Sequence, residues 1–219
     1  LNKISLHKRP KIASEIKAIV TIDDLATLLT KVQNVISEKE IQVSITAKSI
    51  KNILYSPKMK KYKVFEIPKK SGGVRKIVAP NKSLLYIQGL LNKALQCVFT
   101  PRAQAHGFIE GRSIVSNAKL HTGKNYVYNI DLKDFFPSIS YHRVAAVLHK
   151  VKEIGLSKEM ASIIGNLCCH EGYLPQGAPT SPTLSNFVCI KMDIIFYKHS
   201  QLHGYTYSRY ADDITISSN

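Results

Sequence analysis

Three carboxylates stand out by position. Asp131 closes an alternating, strand-like run in Asn129-Ile130-Asp131-Leu132-Lys133-Asp134-Phe135-Phe136. Asp212 and Asp213 sit between two strand-like runs in Tyr210-Ala211-Asp212-Asp213. Adjacent carboxylates in a tight turn repel one another, and a divalent cation relieves the repulsion. Hard oxygen ligands suit Mg²⁺, which keeps its waters and accepts substrate phosphates. Two such ions about 3.5–4 Å apart can activate an attacking hydroxyl and stabilise a leaving phosphate. Each piece alone reads as an ordinary solvated turn; the ordered combination is what points to chemistry.

The second chemical signal is positive charge. The chain carries 31 Lys+Arg against 15 Asp+Glu, a net charge of +16. The excess is concentrated early: residues 1–90 hold 18 basic and 6 acidic residues, and the stretch from Lys48 to Lys76 holds ten basic residues and the single acid Glu66. A patch of this kind favours a polyanion, most commonly nucleic acid. Within it, Lys69, Lys70 and Arg75 flank Gly72-Gly73.

The elements that must position these groups follow from periodicity. Thr21 to Val32 reads as a helix with Asp23 and Asp24 in its first turn, and residues 45–55 as a second, stopped before Pro57. Tyr62–Ile67 and Arg75–Val78 read as a hairpin with a basic tip. Leu84, Ile87, Leu91, Ala94, Leu95 and Val98 share one helical face. Tyr126–Leu132 reads as a strand, three helices follow around Val144–Val151, Met160–Leu167 and Leu184–Ile195, and Tyr205–Ser217 reads as strand, turn, strand. Strands and helices mix without a βαβ repeat, so the fold class is α+β.

Length and composition exclude other classes. At 219 residues, 44% hydrophobic and 21% charged, the chain lies in the globular range. No apolar run approaches the ~18 residues of a membrane span, and no signal peptide opens it. Cys97, Cys168, Cys169 and Cys189 suit reduced cytosolic thiols. Cys168-Cys169-His170 lacks a second ligand pair at zinc spacing. The chain opens on Leu1 and stops soon after the acidic pair, which reads as a fragment.

Taken in order, the motifs resemble those of retron-type bacterial reverse transcriptases. Asn129–Ser138 looks like the first palm motif, Leu174-Pro175-Gln176-Gly177-Ala178-Pro179 the second, and Tyr210-Ala211-Asp212-Asp213 the third. Asn117-Ala118-Lys119-Leu120-His121 matches the Asn-Ala-x-x-His element of retron enzymes. The resemblance covers about residues 45–219 and implies a right-hand polymerase. Its parts would be an N-terminal extension (1–44), fingers (45–120) and a palm (121–219, with a helical segment over 141–173), the thumb lying outside this chain.

It further implies roles. Asp131, Asp212 and Asp213, with the Leu132 carbonyl, would hold two Mg²⁺ ions. Lys69, Lys70, Arg75, Leu132, Phe135, Phe136 and Gln176 would form the deoxynucleotide site, with Phe136 barring a ribose 2′-hydroxyl. Lys61, Lys63, Arg112, Asn117 and His121 would touch nucleic acid, although a lone His is more often structural. The partners implied are a structured RNA template, an RNA–DNA product resembling msDNA, deoxynucleoside triphosphates and an effector protein in antiphage defence, in a bacterial cytoplasm and without a membrane. Without the thumb, weak activity or none is expected of these 219 residues. The competing expectations are a reverse transcriptase of another class and a nucleic-acid-binding module without chemistry.

Overall fold

The computed structural model describes residues 3–37, 44–69 and 72–219. Its elements run α1 (Arg9–Lys17), α2 (Ile22–Ile36), α3 (Ala47–Tyr55), β1 (Tyr62–Pro68), β2 (Val74–Pro80), α4 (Lys82–Val98), α5 (Ile114–Ala118), β3 (Tyr126–Asp131), α6 (Tyr141–Lys150), α7 (Lys158–Cys168), α8 (Ser181–Leu202), β4 (Thr206–Tyr210) and β5 (Asp213–Ser218). Among the described residues no helix is long and apolar enough to cross a membrane.

Apart from α1 and α8, the helices start where short polar side chains take up orphan N–H groups. Thr21 and Asp24 form a reciprocal capping box at α2, so the acidic first turn read from sequence also closes the helix end. The Asn81 carboxamide accepts from the Leu84 amide at the start of α4, and Ser140 caps α6. The apolar faces of these helices converge on one core. Ile12 and Ile16 of α1, Leu25, Leu29 and Val32 of α2, and Leu84, Leu91 and Leu95 of α4 are buried there with Val144, Leu148, Ile164 and Leu184 of the later helices. The segment before residue 37 thus shares the core of the helices that follow it.

The strands form two separate antiparallel sheets. β1 and β2 make a two-stranded hairpin whose register pairs Ile67 with Arg75 and Glu66 with Lys76. Most of β1 beyond buried Tyr62 is exposed, so the basic arm projects from the body. The second sheet has the order β3-β5-β4 and is wholly antiparallel. A stretch from 104 to 106 adds to its β4 side through Arg209 N–H to the Gln104 carbonyl (2.9 Å) and His106 N–H to the Arg209 carbonyl (2.8 Å).

Leu29 is wholly buried at the α2 contribution to the core. Leu29→Ala is expected to lower unfolding stability by about 2–5 kcal/mol through lost transfer energy and a cavity, measured as a shifted urea midpoint at unchanged slope.

Candidate active site

The carboxylates are brought together by strand register. β3 pairs with β5 so that Asp131 lies directly opposite Asp213, and β4 pairs with β5 so that Tyr210 lies opposite Asp213. Only Ala211 and Asp212 are left to make the turn. Two-residue hairpins call for positive φ because that twist matches the strands, and Ala211 is at φ 59°. The Leu132 amide donates to the Asp212 carbonyl at 3.1 Å, stitching the turn to the end of β3. The Asp213 carboxyl is pushed above its ordinary value by partial desolvation first, then by the like charges of Asp212 and Asp131.

The turn is also held from beneath. A Cβ added at Gly107 would lie 2.2 Å from the Ala211 nitrogen, so only glycine lets the 104–107 stretch pass under it. The Gly107 carbonyl accepts from the Asn186 side chain of α8 at 2.9 Å. Arg209, two residues before the turn, is fully buried. Its guanidinium donates through Nε and Nη2 to the two oxygens of Asp193, each at 2.8 Å. Nη1 donates to the Ala211 carbonyl at 2.8 Å and Nη2 to the Asn186 oxygen at 3.1 Å.

Asp131 and Asp212 open onto a cleft of about 540 Å³. Its far wall is the β1–β2 arm, through Lys69, Val74, Arg75, Lys76 and Val78; its floor carries Leu132, Phe135, Phe136 and Gln176. The loop bearing Gln176 is docked on that arm, with the Val78 amide donating to the Gln176 carbonyl at 2.8 Å. Gly177, at φ 131°, makes the approach feasible, since a Cβ there would crowd the Ile77 side chain at 3.0 Å and the Val78 carbonyl at 3.1 Å. The Ser181 hydroxyl donates to the Pro175 carbonyl at 2.7 Å and ties the loop to the start of α8.

The structure thus gathers Asp131, Asp212, Lys69, Arg75, Leu132, Phe135, Phe136 and Gln176 around one cleft, with Asp213 exposed beside it. Lys70 lies outside the described residues. Two of these assignments need refinement. The Phe135 ring is buried in the core, so the half-buried ring of Phe136 is the one free to meet a ligand. Among the described residues no three His, Cys, Asp or Glu side chains close around a single point as a metal cage would. Asp131 and Asp212 line the same cleft, and such a pair still fits divalent ions whose shells are completed by water and substrate.

The expected nucleic-acid contacts fare differently. Lys63 is exposed on the arm, but Lys61 donates its ammonium to the Leu54 carbonyl at 2.7 Å and fastens α3 to the arm's base. Asn117 and His121 are buried. The His121 ring bridges Ser217 of β5 and Ser208 of β4, each at 2.7 Å, and braces the sheet; the Asn117 side chain is buried with its amide oxygen unpaired. Arg112 directs one guanidinium nitrogen at the carbonyls of Arg102, Ala103 and Ala105 and braces that loop. Cys168 is fully buried, and burial raises its thiol well above the usual range; Cys169 is pushed up to about 12 by the same cause.

Sequence reading missed Lys76, His170 and Tyr173, which also line the cleft. His170 and Tyr173 exchange backbone bonds of 2.9 and 3.0 Å across Glu171 (φ 48°) and Gly172 (φ 85°), a two-residue reversal. The Glu171-Gly172 pair just before the Leu-Pro-Gln run was its sequence signal.

Fold and cleft together define a fingers-and-palm fragment of a polymerase, and comparison with known proteins agrees. Residues 67–219 match the family described as reverse transcriptase (RNA-dependent DNA polymerase), and the chain belongs to that family. Within it, the similarity is to retron enzymes. The retron Ec86 reverse transcriptase of Escherichia coli is 32% identical over 196 residues, covering 89% of this chain and 60% of that protein. The retron Mx65 and Mx162 reverse transcriptases of Myxococcus xanthus are 36% and 35% identical over 180 and 171 residues, covering 74% and 71% of this chain. The chain spans 60%, 42% and 35% of the length of these three relatives. Reverse transcriptase domains work with divalent metal ions, in keeping with the cleft carboxylates.

His106 and His121 both titrate below the ordinary 6.5, chiefly because burial disfavours the charged ring. The unfolded chain therefore binds more protons once the pH falls below about 6.5. Their contribution to stability is complete above that pH and drains as the pH drops toward the folded-state values. The melting temperature is expected to fall between pH 7.5 and 5.5, and a His106→Asn/His121→Gln variant to show a flatter slope over the same range.

Proposed function

We propose that this chain carries the nucleotide-adding centre of a retron-type RNA-directed DNA polymerase. The observation that carries the reading is the single cleft with Asp131 and Asp212 on one wall, Lys69, Arg75 and Lys76 on the other, and Phe136 and Gln176 between. Two Mg²⁺ ions, held by Asp131, Asp212 and the Leu132 carbonyl with Asp213 beside them, would neutralise phosphate charge and activate the attacking hydroxyl. A primer 3′-oxygen attacks the α-phosphorus of a deoxynucleoside triphosphate and loses its proton. The bond from that phosphorus to the bridging oxygen breaks, and pyrophosphate leaves.

The chain's own residues supply position and charge, which provide most of the catalysis in such transfers. Lys69 and Arg75 grip the triphosphate, with Lys76 adding to the field and Lys70 of the same tip a further candidate. Gln176 lies over the sugar-phosphate, held rigid by its docked loop. The Phe136 ring excludes a 2′-hydroxyl. Lys63 and its neighbours on the arm attract the template backbone. The retron names of the relatives support an RNA template and an msDNA-like RNA–DNA product; we extend the proposal to a structured template, an effector protein and a role in antiphage defence in the bacterial cytoplasm. The same reading divides the chain into an extension (1–44), fingers (45–120) and palm (121–219). A module that only binds nucleic acid would gain nothing from carboxylates facing its phosphate cleft.

Primer extension by the full-length protein on an RNA template, with Mg²⁺ and deoxynucleotides, tests the reading. Asp212→Asn combined with Asp131→Asn should abolish extension while RNA binding persists. Full activity in that variant, or a wild-type protein that binds RNA and extends no primer with either nucleotide type, sinks it. Phe136→Ala should leave deoxynucleotide addition intact and raise ribonucleotide incorporation by about tenfold or more, since the discrimination rests on steric exclusion worth ~1–3 kcal/mol.

A further inference from the structure

A buried charge outside the cleft has a specific geometry that neither metal binding nor nucleotide binding uses. Arg209 and Asp193 are 0% and 2% exposed. Asp193, on α8, receives both forks of the guanidinium and the Tyr207 hydroxyl at 2.7 Å. Taking two charges out of water is costly, and an apolar pair of similar volume often serves stability as well or better. The remaining guanidinium bonds show what the charge adds here. Nη1 reaches forward to the Ala211 carbonyl, the residue whose φ of 59° turns the chain into Asp212. Nη2 also meets Asn186, whose amide holds the Gly107 carbonyl beneath the same turn. The Arg209 backbone is paired to Gln104 and His106 on that stretch. One planar group therefore clamps the turn from α8, from its own strand and through the loop under it.

We propose that Arg209 is a positioning residue for nucleotide addition: by capping the Ala211 carbonyl while anchored on Asp193, it fixes the turn that aims Asp212 into the cleft. This rests on the polymerase reading above. A non-glycine residue persists in the left-handed region only where its surroundings over-determine it, and Arg209 supplies that constraint at Ala211. Lysine cannot replace it, because a point charge cannot reach Asp193, Asn186 and Ala211 in one plane.

The test uses the full-length protein with Arg209→Lys, Asp193→Asn and the apolar double variant Arg209→Met/Asp193→Leu. Thermal melting identifies which of them fold. Single-nucleotide extension separates kcat from the deoxynucleotide KM, and electron paramagnetic resonance with Mn²⁺ alone measures ion binding without turnover. In the folded variants we expect kcat to fall by about 10²-fold, the loss that a misplacement near 1 Å brings. The deoxynucleotide KM should stay within about twofold, because Lys69, Arg75 and Gln176 do not touch this network, and Mn²⁺ binding should weaken. The double variant should melt near the wild-type temperature and still show both losses. A folded double variant with wild-type kcat and Mn²⁺ binding overturns the proposal and leaves the pair a purely structural one. If the double variant does not fold, Arg209→Lys decides by the same readouts. A wild-type protein that adds no nucleotide would instead defeat the polymerase reading, and Mn²⁺ binding would then decide the positioning role by itself.

Discussion

The pairing of Arg209 with Asp193 is the contact on which the catalytic half of the molecule depends. Both side chains lie out of reach of water, and a single partner left behind would be a bare buried charge, a loss of about 3–5 kcal/mol. Neither can be lost alone, so β4 is held in one register against α8. The β4–β5 register, with Tyr210 opposite Asp213, sets which residues make the turn, and hence where the acidic pair falls. Tyr207, Asn186 and the stretch from Gln104 to Gly107 join the same network, so a helix, a sheet and a loop remote in sequence meet around one guanidinium.

The cleft is assembled from two sheets of different size. Its acidic wall stands on the three-stranded sheet, closed by the Asp131–Asp213 register and braced by His121 between two serines. Its basic wall stands on a two-stranded arm with most of its side chains exposed. The arm's base is fastened at Val78 to the Gln176 carbonyl, at Lys61 to Leu54 and at Asn81 to the Lys60 and Lys61 carbonyls. In the proposed reading the aspartates, which would meet metal and reacting atoms, sit on the three-stranded sheet. The cations, which need only attract phosphate, sit on the projecting one. Preorganised charge on a rigid frame is what phosphoryl-type transfer asks of a protein.

Close packing of backbone explains two glycines that a turn-based reading would treat as loop filler. Gly107 lets a loop pass beneath Ala211, and Gly177 lets the Gln176 loop touch β2. Both serve the cleft by allowing main chain to approach main chain, which a Cβ would forbid.

Much of the fold and site was legible beforehand. The helices over 22–36, 47–55 and 82–98 overlap the periodic stretches Thr21–Val32, 45–55 and Leu84–Val98, the first marked by Asp23 and Asp24. The ordered motifs around Asp131, Gln176 and Asp212 identify the cleft, because local backbone chemistry and residue type are written residue by residue. Burial and partnership are not. His121, Asn117 and Lys61 carry the same polar groups whether they face a nucleic acid or a neighbouring strand, and only the folded chain puts Ser208 and Ser217 on either side of one imidazole. Arg209 looks from sequence like one more basic residue in a basic protein; that it lies wholly buried against Asp193, 16 positions earlier, is decided by the packing of α8 on the sheet. Sequence by itself determined most of the elements, though not the helices at Arg9–Lys17 and Ile114–Ala118, and most of the residues that meet at the cleft. Tertiary structure decided which charged groups are spent on holding it in shape, since the cost of desolvating a charge exists only once the surrounding chain has excluded water.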